Sequence, residues 1–424
     1  MGKIIIVGGQ MENKGAQAMT FTVINEIRKR YPGKEIYVNC QDPDKNYNFN
    51  LLRIGRKLKL EMIGGLYGML GKVLPKASNV NVNRQEMEAL LGDTDLMIDI
   101  SGFALSSQFS FRHSLNYMAN IMLAKKYNVP MVLMSQSFGP FDYKGIDKLI
   151  IPPLIRKHIS YPKRIYAREF EGQRYMSQYT KDNLHKSVDI VLQGSEFNID
   201  HLFRPGTYQT GAGVAVKPDS VAIIPNVKTM KYGTREEMLS LYQKMVDQLL
   251  LKGKHIYLLR HSTEDLEICK EIKGRYPEQE RVVLLEKEYD CIEIHHILNQ
   301  FDFIVGSRYH SIIHAYKNGI PVLALGWATK YKELLGIFGQ SDYIFDVRNL
   351  EHAERSIGLA LTQMIDRRDE EAAKIRAKME ELQEVNIFHE VLGDLPVDAL
   401  THAAPVEPVQ EQAQGEPAAQ AAGA

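Results

Sequence analysis

One pattern recurs along this chain and restricts its fold more than any other feature: a β-branched apolar run, a small-residue turn, then a stretch with helical periodicity. Residues 4–7 (IIIV) end at Gly8 and Gly9, and 16–31 place Phe21, Ile24 and Ile27 at helical spacing before Pro32 and Gly33 stop the helix. Residues 35–39 read as the next strand. Strand, turn, helix, strand is a βαβ unit, and such units build parallel sheets covered by helices on both faces. Further strands are expected at 96–100, 131–135, 164–167 and 187–191, with a helix over 169–178.

Residues 204–220 (RPGTYQTGAGVAVKPDS) interrupt the series with Gly, Pro, Thr and Ser, the composition of a linker. A second series follows, with strands expected at 221–224, 255–259, 282–285, 303–305 and 322–325. Helices are expected at 234–251, 263–275, 290–299 and from 311. At 424 residues the chain exceeds what one core usually organises. The expected organisation is therefore an α/β domain over 1–203, a linker over 204–220, a second α/β domain over 221–350, charged helices over 351–400 and a disordered tail over 401–424. The tail is Ala, Gln, Glu and Pro without aromatic residues.

Charge narrows the function. Lys plus Arg and Asp plus Glu both number 52, so no global basic field favours nucleic acid, and anionic ligands must be held by local groups. Cys40, Cys269 and Cys291 are far apart and lack CxxC spacing, so neither a disulfide framework nor a zinc site is expected. The apolar run at the N-terminus is four residues long, short for a signal-peptide core, and a cytoplasmic location is expected. Residues 56–76 (RKLKLEMIGGLYGMLGKVLPK) stand apart. Their basic flanks and apolar, glycine-broken middle suit either a helix and loop between strands or an element resting on anionic headgroups at the inner membrane face.

The densest chemical signal is FDFIVGSRYHSIIHAYKNGIPVLALG at 301–326. A strand, the Gly306 and Ser307 turn and a helix start place Arg308 and His310 at a strand's carboxyl end, where parallel sheets bind ligands. Arg308 offers a planar fork to phosphate or carboxylate, and His310 titrates near neutrality. Arg168, in YAREFEG (166–172), also follows a strand and is a second candidate anion ligand. GGQMENKGAQAM (8–19) is a glycine turn before a helix but neither GxGxxG nor a Walker motif, and SQSFGP (135–140) is a polar loop after a strand. His310 and His314 have zinc-ligand spacing, yet no glutamate lies between them and no third ligand is near, so no metal is expected. GxSxG is absent, which argues against acyl-serine chemistry.

In this order, GGQMENKGAQAM, DLMIDISG (95–102), SQSFGP, YAREFEG, VDIV (188–191) and GSRYHSIIHAYKNGIPVLAL, followed by Lys330, resemble the polysaccharide pyruvyl transferase family. Two positions depart from relatives. SGFALS at 101–106 stands where consecutive glycines are common, and VAIIPN at 221–226 ends in Asn226 where an arginine or another polar residue is common. The resemblance implies two Rossmann-like domains of GT-B type with the site in the interdomain cleft, the acceptor on the N-terminal side and the donor on the C-terminal side. It implies phosphoenolpyruvate as co-substrate, no cofactor, and a sugar or lipid-linked oligosaccharide as acceptor. Arg308, Arg168, Lys330 and Ser307 would bind the donor, His310 and Arg308 would act in catalysis, and Asn13, Gln136 and Asp189 would orient groups or meet the acceptor. The same features also fit a GT-B glycosyltransferase using a nucleotide-sugar, or a non-catalytic sugar-binding or assembly subunit.

Overall fold

The computed structural model describes residues 2–43, 45–75, 80–209, 213–393 and 395. The expected tail at 401–424 and the centre of the expected linker lie outside them. Seven strands form the first sheet: β1 (Lys3–Val7), β2 (Glu35–Asn39), β3 (Asn50–Leu52), β4 (Thr94–Asp99), β5 (Met131–Gln136), β6 (Arg164–Ala167) and β7 (Leu184–Lys186). Six form the second: β8 (Ser220–Ile224), β9 (His255–Leu259), β10 (Val282–Leu285), β11 (Phe303–Gly306), β12 (Val322–Gly326) and β13 (Ile344–Asp346).

The first sheet runs β3-β2-β1-β4-β5-β6-β7 and the second β10-β9-β8-β11-β12-β13, with every pairing parallel. Both orders turn back on themselves after the first strand, the doubly wound pattern of a Rossmann-like domain. Loops leaving β1 and β4 therefore diverge to opposite faces and open a crevice between them, and β8 and β11 do the same in the second sheet.

One expected strand is absent. Residues 187–191 were expected to be extended, but the edge strand is three residues earlier. Asp189 instead caps the short helix Ile190–Gln193 by accepting the Val191 N–H (3.1 Å). A short apolar run does not separate buried strand from buried helix, and here the capping carboxylate decides. Elements that the sequence analysis did not place include the three-residue strands β3 and β13 and the helix Arg84–Gly92, which opens on an Asn83/Glu86 capping box.

The two halves are joined by more than a linker. One apolar cluster runs from Ile4 and Phe21 through Val191 to Val305 and Ile375, while a second fills only the opposite face of the first sheet. The 35-residue helix Leu350–Glu384 begins against the second half and ends where Gln193 Nε2 donates to the Val385 carbonyl (3.0 Å). The helix Ile387–Gly393 then docks on the first half. Tyr31 donates to the Leu392 carbonyl (2.7 Å), Tyr166 donates to Glu390 (2.6 Å), and Phe388 is fully buried. Phe388→Ala is expected to cost roughly 3–5 kcal/mol through the cavity it leaves. Urea unfolding followed by circular dichroism measures that loss as a lower midpoint.

Candidate active site at the junction of the two halves

The carboxyl ends of both sheets face each other, and the predicted residues fall into three groups there. The first is built around Asp189. Burial opposes its charge, but His310, Arg168 and the Val191 N–H hold its carboxyl well below the usual carboxylate range. Arg168 Nη1 donates to Asp189 Oδ2 at 2.8 Å, Nε to Glu169 Oε1 at 2.8 Å and Nη2 to Ser137 Oγ at 2.7 Å. The guanidinium also lies 4.6 Å from the centre of the Tyr309 ring, contributed by the second half. Arg168 is thus a buried organiser with three donors already used, and it does not line the cavity that its position after β6 suggested.

His310 approaches the same carboxylate from the second half, with Nε2 at 3.5 Å from Asp189 Oδ2. That separation is long for a formed hydrogen bond but within electrostatic reach. Gly15 sets the other side of the imidazole: a Cβ there would lie 2.2 Å from His310 Nδ1. The glycine turn before the first helix is therefore required by ring contact across the junction. Asn13, just before it, caps that helix by accepting the N–H groups of Gly15 (3.0 Å) and Ala16 (3.2 Å).

The second group surrounds a cavity of about 180 Å³ lined by Asn13, Lys14, His261, Arg308, His310 and Lys330, with Asn226, Lys228, Ser262, Tyr309, Trp327 and Tyr331 completing the wall. Arg308 grips Asp265 with Nε (2.8 Å) and Nη2 (2.6 Å), and Nη2 also reaches Glu264 (2.5 Å). Its Nη1 makes no hydrogen bond among the described residues. The fork expected to serve phosphate or carboxylate thus uses its Nε and Nη2 in holding its own position. Lys330 sits 5.0 Å from the centre of the Tyr309 ring, and burial followed by the Arg168 charge lowers its pKa to about 8. Lys14 pairs with Glu288 across the halves at 2.8 Å. His261 is buried and held well below its ordinary pKa, by burial first and then by His310, Arg308 and Lys14, so it is neutral near pH 7.

Ser307 and Gln136 form the third group, and neither meets the cavity. Ser307 is fully buried, its hydroxyl shared with Tyr242 (3.1 Å) and its carbonyl accepting from Asn226 (3.1 Å) and Tyr331 (3.0 Å). It is part of the frame under Arg308. Gln136 is equally buried, accepting from Tyr117 (2.9 Å) and donating to Asp99 (3.3 Å). His314 does not join His310: it points into the interior, its ring 5.8 Å from that of His295, and among the described residues no set of three His, Cys, Asp or Glu side chains could hold a metal ion. Sequence reasoning missed Tyr309, His261 and the Asp265/Glu264 pair. His261 had a signal, since it follows the apolar run of β9. The acidic pair lies more than forty residues from Arg308 and carries none.

The site joins the halves at two further points. Glu333 accepts the backbone N–H groups of Phe170 (2.6 Å) and Glu171 (3.2 Å), and Gln17 accepts the Cys291 N–H (3.0 Å). In sum, a buried Asp–His pair spans the junction beside a small, cation-lined cavity at the carboxyl ends of β8, β9, β11 and β12.

Comparison with solved structures shows the fold. UDP-GlcNAc 2-epimerase from Methanocaldococcus jannaschii superposes with a TM-score of 0.50 at 10% identity, covering 84% of this chain and 92% of that one. The UDP-GlcNAc 2-epimerase from Neisseria meningitidis, bound to UDP-GlcNAc, gives 0.49 at 13% identity over 92% and 98%. The architecture is GT-B, two Rossmann-like domains facing across a cleft. No curated protein sequence matches the chain. The family model for polysaccharide pyruvyl transferases matches residues 13–329, from the Asn13 cap through Arg168, Asp189, Arg308 and His310 to the start of the helix that carries Lys330. That span covers most of the sequence, and with the fold it shows that this chain belongs to the polysaccharide pyruvyl transferase family.

Proposed function

We propose that the protein transfers the pyruvyl group of phosphoenolpyruvate onto two hydroxyls of a sugar in a cell-surface or exopolysaccharide precursor, forming a cyclic ketal. The observation that carries this reading is the Asp189–His310 pair at the wall of a cavity lined by Arg308, Lys330 and Lys14. At about 180 Å³ this space falls below the roughly 300–1,000 Å³ of drug-sized clefts and suits a compact three-carbon anion better than a nucleotide-sugar.

In this reading the free Nη1 of Arg308 and the ammonium of Lys330 meet the phosphate and carboxylate. C3 of the donor takes a proton, C2 becomes cationic, and the first sugar hydroxyl adds there as it loses its own proton. The C2–O bond to phosphate breaks, and the second hydroxyl closes the ketal. Of the two hydroxyl protons, the balance leaves one on C3 and one on the released phosphate. His310, oriented by Asp189, is the group that carries a proton between these positions. Asp189 keeps its charge throughout and holds the ring in place.

His310→Gln keeps a hydrogen bond but cannot titrate. Turnover, measured as phosphate release, is expected to fall by roughly two to four orders of magnitude, while phosphoenolpyruvate still raises the melting temperature. Normal turnover in this variant would overturn the assignment. Stabilisation by a nucleotide-sugar and not by phosphoenolpyruvate would favour the glycosyltransferase alternative.

Lys330 gives the donor site its own pH dependence. The lysine must be protonated to hold an anion, and its pKa is lowered to about 8, so its charge disappears as pH rises through that value. Donor-induced stabilisation is expected to be strong at pH 7 and to decline between about pH 8 and 9, since bound anion resists deprotonation. Lys330→Arg, charged throughout, should flatten the decline. An equally steep decline in that variant would assign it elsewhere.

For the acceptor we infer a lipid-linked precursor met at the membrane surface. The helix Gly65–Val73 exposes Leu66 (76%), Met69 (67%) and Val73 (78%) on one face, beside Lys72. Among the described residues no helix is long and apolar enough to cross a membrane, so contact would be peripheral. Lys59, one of the basic residues of this segment in the sequence, takes no part in the contact because it is buried. The double variant Leu66→Ser, Met69→Ser should lose co-sedimentation with vesicles containing anionic lipid. Unchanged sedimentation would remove the membrane from the reading.

A further inference from the structure

A cavity of about 490 Å³ lies in the first half, and none of the donor-site residues lines it. Its wall includes Gly8 and Gly9 after β1, Asn39 and Cys40 at the end of β2, Ser101 and Phe103 after β4, and Lys59, Asn116 and Asn120 from two helices. This is the crevice between β1 and β4, the point where the order of the first sheet reverses and where doubly wound sheets bind ligands. The donor cavity occupies the equivalent crevice of the second sheet. The two are linked by one loop: Gly8, Gly9, Gln10 and Glu12 line the larger cavity, Asn13 and Lys14 the smaller.

Lys59 is the unusual feature of this wall. It is 3% exposed, yet its ammonium contacts only amide oxygens, Asn120 Oδ1 at 2.7 Å and Asn116 Oδ1 at 3.3 Å. A buried ammonium normally requires a carboxylate partner. Asp99, whose charge acts on Lys59, is fully buried, and its Oδ2 has no hydrogen-bond partner among the described residues. Two of three ammonium donors are used, and the residue faces the cavity. The rim adds Glu12 and Asp42, which disfavour phosphate, together with His113 and the rings of Phe103 and Tyr117. Mixed amide, carboxylate and ammonium groups beside aromatic faces match a ligand with many hydroxyls and apolar C–H faces, and not a strong anion.

We propose that this cavity is a subsite for an uncharged pyranose of the acceptor, with Lys59, Asn116 and Asn120 bonding its hydroxyls. Calling the ligand an acceptor rests on the transfer reading above; the binding site itself does not. The test is therefore binding without donor. The full chain is titrated with a panel of methyl pyranosides and short neutral oligosaccharides of glucose, galactose, mannose and their N-acetylamino forms, observed by saturation-transfer NMR.

At least one sugar is expected to bind. Lys59→Met should weaken it about ten- to a hundredfold, the effect of a lost charge-assisted hydrogen bond. Ala104→Trp, which fills the cavity from its half-buried rim, should abolish binding and leave the buried ammonium in place, so it tests the site even where Lys59→Met does not fold. Stabilisation by phosphoenolpyruvate should survive in both. The proposal is overturned by no binding across the panel, by equal binding in both variants, or by displacement of the sugar with inorganic phosphate at low concentration. Sugar binding that depends on Lys59 without phosphate release from phosphoenolpyruvate would sink the transfer reading and leave the subsite standing.

Discussion

Asp189 is fully enclosed, and removing a carboxylate from water is costly unless its charge is met at close range. Here it is met from both halves, by Arg168 at 2.8 Å and by His310 at 3.5 Å, with the Val191 N–H as a third partner. Much else follows from that placement. Arg168 is fixed by Asp189, Glu169 and Ser137, which lets it lie against Tyr309. A second cation near the Tyr309 ring is Lys330, whose ammonium is partly destabilised by the Arg168 charge. Loss of one member would leave its partners buried and unmatched, so the chemistry of the site and the alignment of the two halves depend on the same few charges.

The two sheets share a strand order but divide the surfaces at their carboxyl ends. The second half places Arg308, held by Asp265 and Glu264, and Lys330, beside the Tyr309 ring, around a small space. The first half offers amides, hydroxyls and rings around a larger one. Between them runs the loop from Gly8 to Lys14, which contributes to both walls and whose Gly15 boundary admits the His310 ring. A loop that borders both cavities is well placed to fix their separation, and a side chain at Gly15 would alter it.

Much of this was visible in the residues alone, and the reason is periodicity. Parallel strands buried on both faces are short apolar runs, and their carboxyl ends are marked by the polar residue that follows, which is how Arg308, His310 and Arg168 could be named. Periodicity carries no information about which partner a buried cation will find. Arg308 meets Asp265 and Glu264, Lys59 meets Asn116 and Asn120, and nothing local predicts either set. The run at 187–191 shows a different limit. Its apolar residues suit a strand or a helix equally, and only the capping role of Asp189 resolved them. Ser307 and Gln136 sat at strand ends like the others but turned inward, because neighbouring tyrosine hydroxyls and backbone groups needed partners there.

The closing helix has a consequence for how such a chain is made. The first half leaves the ribosome early, with nearly all of its sheet already synthesised. Its surface around Tyr31 and Tyr166 nevertheless receives Phe388, Glu390 and Leu392, which emerge about two hundred residues after β7. During elongation that patch stays uncovered, an apolar and hydrogen-bonding surface awaiting its own C-terminal segment. A nascent chain of this protein would thus present a vacant docking site throughout translation of the second half, the kind of surface on which chaperones act.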